Sequence, residues 1–192
     1  MATIANNRFP VGDPKTFRSL TKGKYSCYVY QGDKGDEQFM ESCDVLADTW
    51  LPTGSIAYIN PSTGRAEATK GVNAAGKAAV PYIVKVGSDH RTVGSEKYNA
   101  AGGLVTLLPL TGYFRIVTTV FEQGTDISYE TGDFLTVGQF QYDGKTVLGL
   151  TKTGAALGES TIVGIVDGPV GNEVKQNAAL AFTAFFQPVV GK

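Results

Sequence analysis

Histidine and tryptophan occur once each in this chain of 192 residues, and cysteine and methionine twice each. A lone histidine and two separated cysteines cannot readily assemble a tetrahedral zinc site. His90 lies in the polar stretch GSDHRTVG, beside Asp89 and near Ser88 and Ser95. Nucleophile–base chemistry needs these groups to converge in space, which adjacency in a loop does not supply. There is no G-x-S-x-G elbow either, so His90 reads as a surface-loop histidine. Cys27 and Cys43, 16 positions apart, sit in or beside apolar runs. They read as buried thiols, with a single disulfide left open.

Charge is also scarce. Asp, Glu, Lys and Arg make up 18% of the chain, against roughly 25% in ordinary soluble domains. The net charge of −1 gives no global attraction to nucleic acid or to a membrane. Long apolar runs are missing: the best candidate, Ala178–Phe186, falls well short of the roughly 18 residues of a membrane span. The opening MATIANNRFP has no basic segment followed by an apolar one, so no secretory signal is expected and synthesis in the cytoplasm is. Asn60 is followed by Pro61, which removes the one N-x-S/T frame. Amphipathic helical periodicity is weak throughout.

What is abundant is glycine, 24 residues, accompanied by eight prolines. The glycines are ordered. Thr131–Gly168 opens on Thr-Gly (Gly132), runs through a short apolar strand, reaches a Gly-basic turn (Gly144-Lys145) and closes on a β-branched strand ending at Val166. Thr53–Val84 has the same parts in the same order: Gly54, Gly64-Arg65 and Val84. The turn comes 10 or 12 residues after the opening glycine, and the closing valine 20 or 22 residues after the turn. Two similar β-modules, at about 53–86 and 131–168, are expected from this spacing.

Residues 1–24 stand apart. They hold Arg8, Lys15, Arg18, Lys22 and Lys24 against Asp13 alone, a charge of +4. The other 168 residues carry twelve basic and seventeen acidic groups, a charge of −5. Pro10, Gly12, Pro14 and Gly23 have no period, so the segment reads as an extended arm anchored by Phe9 and Phe17. Its two readings are a docking arm for an acidic surface and a frayed terminus.

Residues 25–192 form a single β-rich domain. Tyr25–Tyr30 is its first strand, and Gln38–Ala47 is ambiguous, with room for one helical turn. Gly87–Gly103 reads as a surface loop. Leu104–Leu110 and Tyr113–Phe121 are strands joined by Thr111-Gly112 in a tight hairpin, and Ala179–Phe186 is the last strand, with Leu180, Phe182 and Phe186 on one side. About ten short strands at regular turn spacing define an all-β sandwich or barrel. A chain of this length can bury roughly 70% of its unfolded surface, so it needs neither disulfide nor metal for a core.

Three stretches resemble chemical motifs. Gly71–Ala78 fits the G-x-x-x-x-G-K frame of a phosphate-binding loop, but Ala78 stands where Ser or Thr must hold magnesium. The continuation AAVPYIVKV is strand-like, whereas that loop needs a helix N-terminus. Asp33, Asp36 and Glu37 lack the order of a calcium loop and read as a solvated turn. Asp143 and Asp167 precede glycines, as turn aspartates do. Tyr25, Tyr28 and Tyr30 have no interleaved basic residues to make a nucleic-acid stacking platform. No catalytic residue, metal ligand or cofactor is expected.

The second module resembles the β-modules of capsid decoration, or cement, proteins of tailed bacteriophages. The matching residues are Gly132-Asp133-Phe134-Leu135, Gly149-Leu150-Thr151, Gly158-Glu159 and Ile162-Val163-Gly164-Ile165-Val166. About 40 residues carry the likeness, with an echo at 53–84. The arm and the 87–121 region lie outside it. The resemblance implies a non-enzymatic virion protein on the capsid exterior, a homo-oligomer with a trimer favoured, and the major capsid protein as partner. It also implies attachment by an N-terminal arm that adds to a capsid strand, here through Arg8, Phe9, Lys15, Phe17, Arg18, Lys22 and Lys24. A carbohydrate-binding tail, fibre or adhesin module is the alternative, with Trp50, Tyr58, Tyr82, Tyr98 and Tyr113 as stacking groups. A jelly-roll hydrolase is a third reading, with His90 as its best candidate group.

Overall fold

Four glycines with positive φ punctuate the fold in two matched pairs: Gly54 (+87°) with Gly132 (+98°), and Gly64 (+68°) with Gly144 (+71°). Side chains disfavour this region of backbone space and glycine does not. Each pair therefore marks the same two bends in each module.

The structure, a computed structural model, describes residues 27–30, 43–69, 79–87, 92–93, 96–97, 103–111, 115–142, 144–154, 161–167 and 180–187. Among these residues there is no helix. The thirteen strands are β1 (Cys27–Tyr30), β2 (Cys43–Leu46), β3 (Ile56–Ile59), β4 (Ala66–Glu67), β5 (Tyr82–Val86), β6 (Thr92–Val93), β7 (Glu96–Lys97), β8 (Leu104–Pro109), β9 (Arg115–Thr118), β10 (Phe134–Tyr142), β11 (Lys145–Lys152), β12 (Ile162–Val166) and β13 (Leu180–Gln187). They form a six-stranded sheet in the order β1-β9-β13-β12-β10-β11, a five-stranded sheet β2-β8-β5-β3-β4, and the small ladder β6-β7. All pairings between named strands are antiparallel. The all-β expectation holds, with the strands arranged as a sandwich of two curled sheets.

The duplication extends beyond the two modules. Without β1, the six-stranded sheet reads β9-β13-β12-β10-β11, strand for strand the order β2-β8-β5-β3-β4. The hydrogen bonds repeat as well. Gly54 N–H donates to Val84 O at 2.8 Å and Val84 N–H to Ser55 O at 2.9 Å; Gly132 N–H donates to Val166 O and Val166 N–H to Asp133 O, both at 2.9 Å. Opening glycine and closing valine are thus bonded to each other in both halves.

Each five-strand set curls until its last strand in the order meets the chain that leaves its first. Ala47, just past β2, bridges Ala66 of β4 in parallel, and Phe121, past β9, bridges Leu150 of β11. Asp48 N–H donates to Ala66 O and Glu122 N–H to Leu150 O, each at 2.8 Å. A single bridge pins each seam without making a closed barrel.

Alternation along the strands sends residues to two cores. Ala47, Leu51, Ala57, Ala66, Val84, Val105 and Leu107 form a smaller cluster on one face of the five-stranded sheet. Its other face contributes Ile56, Tyr58, Ile83 and Leu108 to the main cluster, which includes Phe121, Leu135, Leu150, Val166, Leu180 and Phe182 of the second half. Phe121 and Phe182 are among the largest fully buried side chains, and burying a side chain of this size contributes about 1.5–3 kcal/mol. The halves are also bonded directly: Thr118 Oγ1 donates to Gly54 O at 2.8 Å and accepts from Val120 N–H at 3.1 Å.

Two local expectations are corrected, and a third is met in part. Leu104–Leu110 and Tyr113–Phe121 do not form a hairpin, because β8 lies between β2 and β5 while β9 lies between β1 and β13. Both edges of each strand are taken, and the two strands belong to different sheets. The ambiguous stretch Gln38–Ala47 contains the strand β2 at Cys43–Leu46, and its residues 38–42, where a helical turn had room, lie outside the described residues. The loop Gly87–Gly103 contains the short β6-β7 ladder.

Candidate functional site

The predicted attachment residues Arg8, Phe9, Lys15, Phe17, Arg18, Lys22 and Lys24 lie outside the described residues, as do His90, the Gly71–Ala78 frame, the Asp33–Glu37 cluster and Asp143. Beyond the Gly71–Ala78 frame the chain enters the strand β5. Among the described residues, no group of three or more His, Cys, Asp or Glu could hold a metal ion, and no helix is long and apolar enough to cross a membrane. Cys27 is on β1 and Cys43 on β2, in different sheets.

Of the candidate stacking groups, Tyr98 and Tyr113 lie outside the described residues, and Tyr58, Tyr82 and Trp50 are at least partly buried. Tyr58 is 6% exposed and belongs to the main cluster, where burial pushes its hydroxyl up to about 12. Tyr82 packs against the smaller cluster, and Trp50 is half-buried. Tyr129 meets Phe121 edge-on, with ring centroids 5.4 Å apart and planes at 83°. Its hydroxyl donates to Glu122 O at 2.8 Å. Burial, reinforced by the Glu122 charge, raises that hydroxyl to about 12.

Tyr129 belongs to a polar clasp that fixes residues 122–133 to the sheet. The Thr151 hydroxyl donates to the Glu122 carboxylate. Lys152 Nζ pairs with Asp133 Oδ2 at 2.8 Å, and the same oxygen accepts from Glu130 N–H at 2.7 Å. Partial burial would raise the Asp133 carboxyl, but hydrogen bonds from Lys152 and Glu130, with the Lys152 charge, lower it below its ordinary value. On the other half, Arg65 Nη1 lies 3.2 Å from Asp48 Oδ1. Arg115 Nε lies 3.3 Å from Asp167 Oδ2, and Asp167 N–H donates to Ala181 O at 3.0 Å. These carboxylates have structural partners, so their arrangement makes bends and joints rather than an acid–base pair.

The surfaces with unspent bonding capacity are sheet edges. β1 comes only a few residues after the basic segment and is the outermost strand of the six-stranded sheet, registered Cys27↔Thr118 to Tyr30↔Arg115 on β9. β2 is the outermost strand of the other sheet, and it ends in Leu46, the large hydrophobic side chain exposed among the described residues, at 44%. Sequence reading missed this edge, since a leucine at the end of CDVL looks like core. No sequence signal marked it, because which strand is outermost is set by pairings across the whole sheet.

The residues quoted for the resemblance are distributed over the second half. Gly132–Leu135 spans the bend into β10, Gly149–Thr151 lies in β11 and Ile162–Val166 is β12; Gly158-Glu159 lies outside the described residues. No family model matches the chain, and searches of curated proteins and of solved structures give no match.

Proposed function

We propose that this protein is a structural component of a virion, a homo-oligomer that binds the outside of a tailed-phage capsid and stabilises the shell. The observation that carries this reading is the basic charge of residues 1–24, which directly precede β1, the outermost described strand of the six-stranded sheet. A strand added at such an edge satisfies backbone hydrogen bonds along its length, which gives directional attachment without a pocket. The body behind it suits a load-bearing part: two copies of one five-strand plan share a core, and its described charged side chains brace turns. The likeness of Gly132–Val166 to cement-protein modules supports the same assignment. The arm residues Arg8, Phe9, Lys15, Phe17, Arg18, Lys22 and Lys24 would supply the shell contacts, with the major capsid protein as partner.

Co-sedimentation with empty capsids is the test. The full chain is expected to pellet with capsids and to raise their disruption temperature. Retention in the supernatant at saturating concentration, with capsids no more heat-resistant than bare ones, would sink the assignment.

A further inference from the structure

We propose that the outward edge of β10 pairs antiparallel with the same edge of a second copy of this chain, across a two-fold axis at Gln139, so that two hairpins join into one ribbon. The first half shows what is extra here. Ala66 and Leu150 take equivalent seam bridges, so the pairs Tyr58↔Glu67 and Ile59↔Ala66 match Thr136↔Thr151 and Val137↔Leu150. Beyond them the first half turns back through residues 60–65. The second half instead stays paired from Gly138↔Gly149 to Tyr142↔Lys145, about 16 Å of added strand. On β10 the core face ends with this extension. Leu135 and Val137 belong to the main cluster, whereas Gln139 and Gln141, next on the same face, are exposed. Gln141 Nε2 donates to Thr146 Oγ1 at 2.7 Å, bracing the hairpin from within.

Backbone direction leaves one side of this strand open. Asp133 O accepts from Val166 N–H on the β12 side at 2.9 Å, and Phe134 O accepts from Thr153 N–H on the β11 side at 3.0 Å. Successive residues alternate in this way, and the register on β11 is unbroken from Leu135 to Tyr142. Val137, Gln139 and Gln141 therefore turn their N–H and C=O groups away from β11. Ladder pairs with β12 stop at Leu135, and among the described residues nothing pairs with these three. β10 has no proline and no charged residue, the devices that keep sheet edges apart.

This edge is its own complement. Antiparallel pairing about Gln139 sets Gln139 opposite its counterpart and Val137 opposite Gln141, so each outward N–H of the three meets an outward C=O. An amide both donates and accepts, so two Gln139 side chains bond across the axis where two like charges would repel. Nothing on the other face obstructs the approach: Gly138 has no side chain, and the Phe140 ring lies inward over Gly149, whose added Cβ would stand 2.7 Å from Phe140 Cζ. The contact is isologous and closes at two copies. It rests on the homo-oligomeric part of the reading above and not on capsid binding, because it is measured on the protein alone.

Sedimentation velocity and amide hydrogen exchange of the full chain test it. The wild type is expected to pass from monomer to dimer as its concentration rises. Exchange at Val137, Gln139 and Gln141 should slow in the dimer, while Gly138 and Phe140, already bonded to β11, keep their rates. Gln139→Lys and Gln139→Glu each place like charges at the axis, so each variant alone should pair at least about tenfold more weakly. An equal mixture should recover one-to-one pairs. Circular dichroism and thermal midpoints matching the wild type show that the body is intact, and if a variant does not fold, the exchange pattern of the wild type decides alone. A wild type that stays monomeric overturns the proposal. So does association that leaves those three amides unprotected, a folded variant that pairs like the wild type, or a mixture of folded variants that stays monomeric.

Discussion

At the scale of single residues, this fold spends its few charges on bends. Asp133 is the clearest case: one carboxylate oxygen takes the Glu130 N–H and Lys152 Nζ, while Asp133's own N–H donates to Glu130 O at 3.0 Å. Its carboxyl is held below the ordinary value, so the fold favours the ionised form. Proton linkage sets the sign. Above the unfolded-state value of about 4 the stabilisation is fully present, and it is lost as pH falls through the lowered folded-state value. The side chains of Asp133 and Lys152 are 20% and 38% exposed, which limits the pair to about 0.5–1 kcal/mol after screening. Asp133→Asn should therefore unfold at lower urea than the wild type at pH 7, with the gap shrinking below about pH 4. Urea midpoints at pH 7 and pH 3 check this; an unchanged gap at pH 3 would mean that ionisation of Asp133 contributes nothing.

Elements carry the duplication, and here the sequence was most readable. A turn that needs positive φ nearly dictates glycine, so Gly54, Gly64, Gly132 and Gly144 announced the four bends at their true spacing, and Val84 and Val166 proved to be the residues bonded back to the opening glycines. Pairing across sheets could not be read. Thr111-Gly112 has the chemistry of a tight hairpin, yet its flanking strands find better partners elsewhere, a choice set by the whole core. The parallel seam bridges leave no periodic trace, because each is one residue wide. Of the candidate site, the positive charge of residues 1–24 was visible in the sequence, whereas the outermost places of β1 and β2 emerged only from the strand pairing. The turn glycines also give a direct prediction. A Cβ on Gly132 meets nothing within 4 Å, so Gly132→Ala costs backbone strain alone, about 1–2 kcal/mol. Gly164 is the contrast: its Cβ would lie 2.6 Å from Phe182 Cδ2 and 3.1 Å from Thr183 O. Gly164→Ala should destabilise beyond the Gly132 variant, by overpacking typically worth about 1–3 kcal/mol on a strand buried at the centre of its sheet. Thermal midpoints of the two variants rank them, and equal losses would show that Phe182 yields without cost.

For the whole molecule, the question is whether two copies of one plan behave as one folding unit. Repeats joined only by nearest-neighbour contacts unfold piecewise, and each half here has its own bridge-pinned seam. The main core argues the other way. Ile56, Ile83 and Leu108 of the first half lie in one cluster with Leu135, Leu150 and Phe182 of the second, so neither half completes its burial alone. The Thr118 hydroxyl adds a buried bond to Gly54 O at the residue that opens the first module. Loss of one half would expose the other's apolar face and strand that carbonyl, at about 1–3 kcal/mol for the unsatisfied group alone. Calorimetry of the monomer should therefore show a single transition with equal calorimetric and van't Hoff enthalpies. Thr118→Val, which keeps the shape and deletes the donor, should lower that transition without splitting it, because the shared apolar core and not the hydroxyl provides most of the coupling. Two resolved transitions in the wild type would show that the duplicated halves still fold as separate domains.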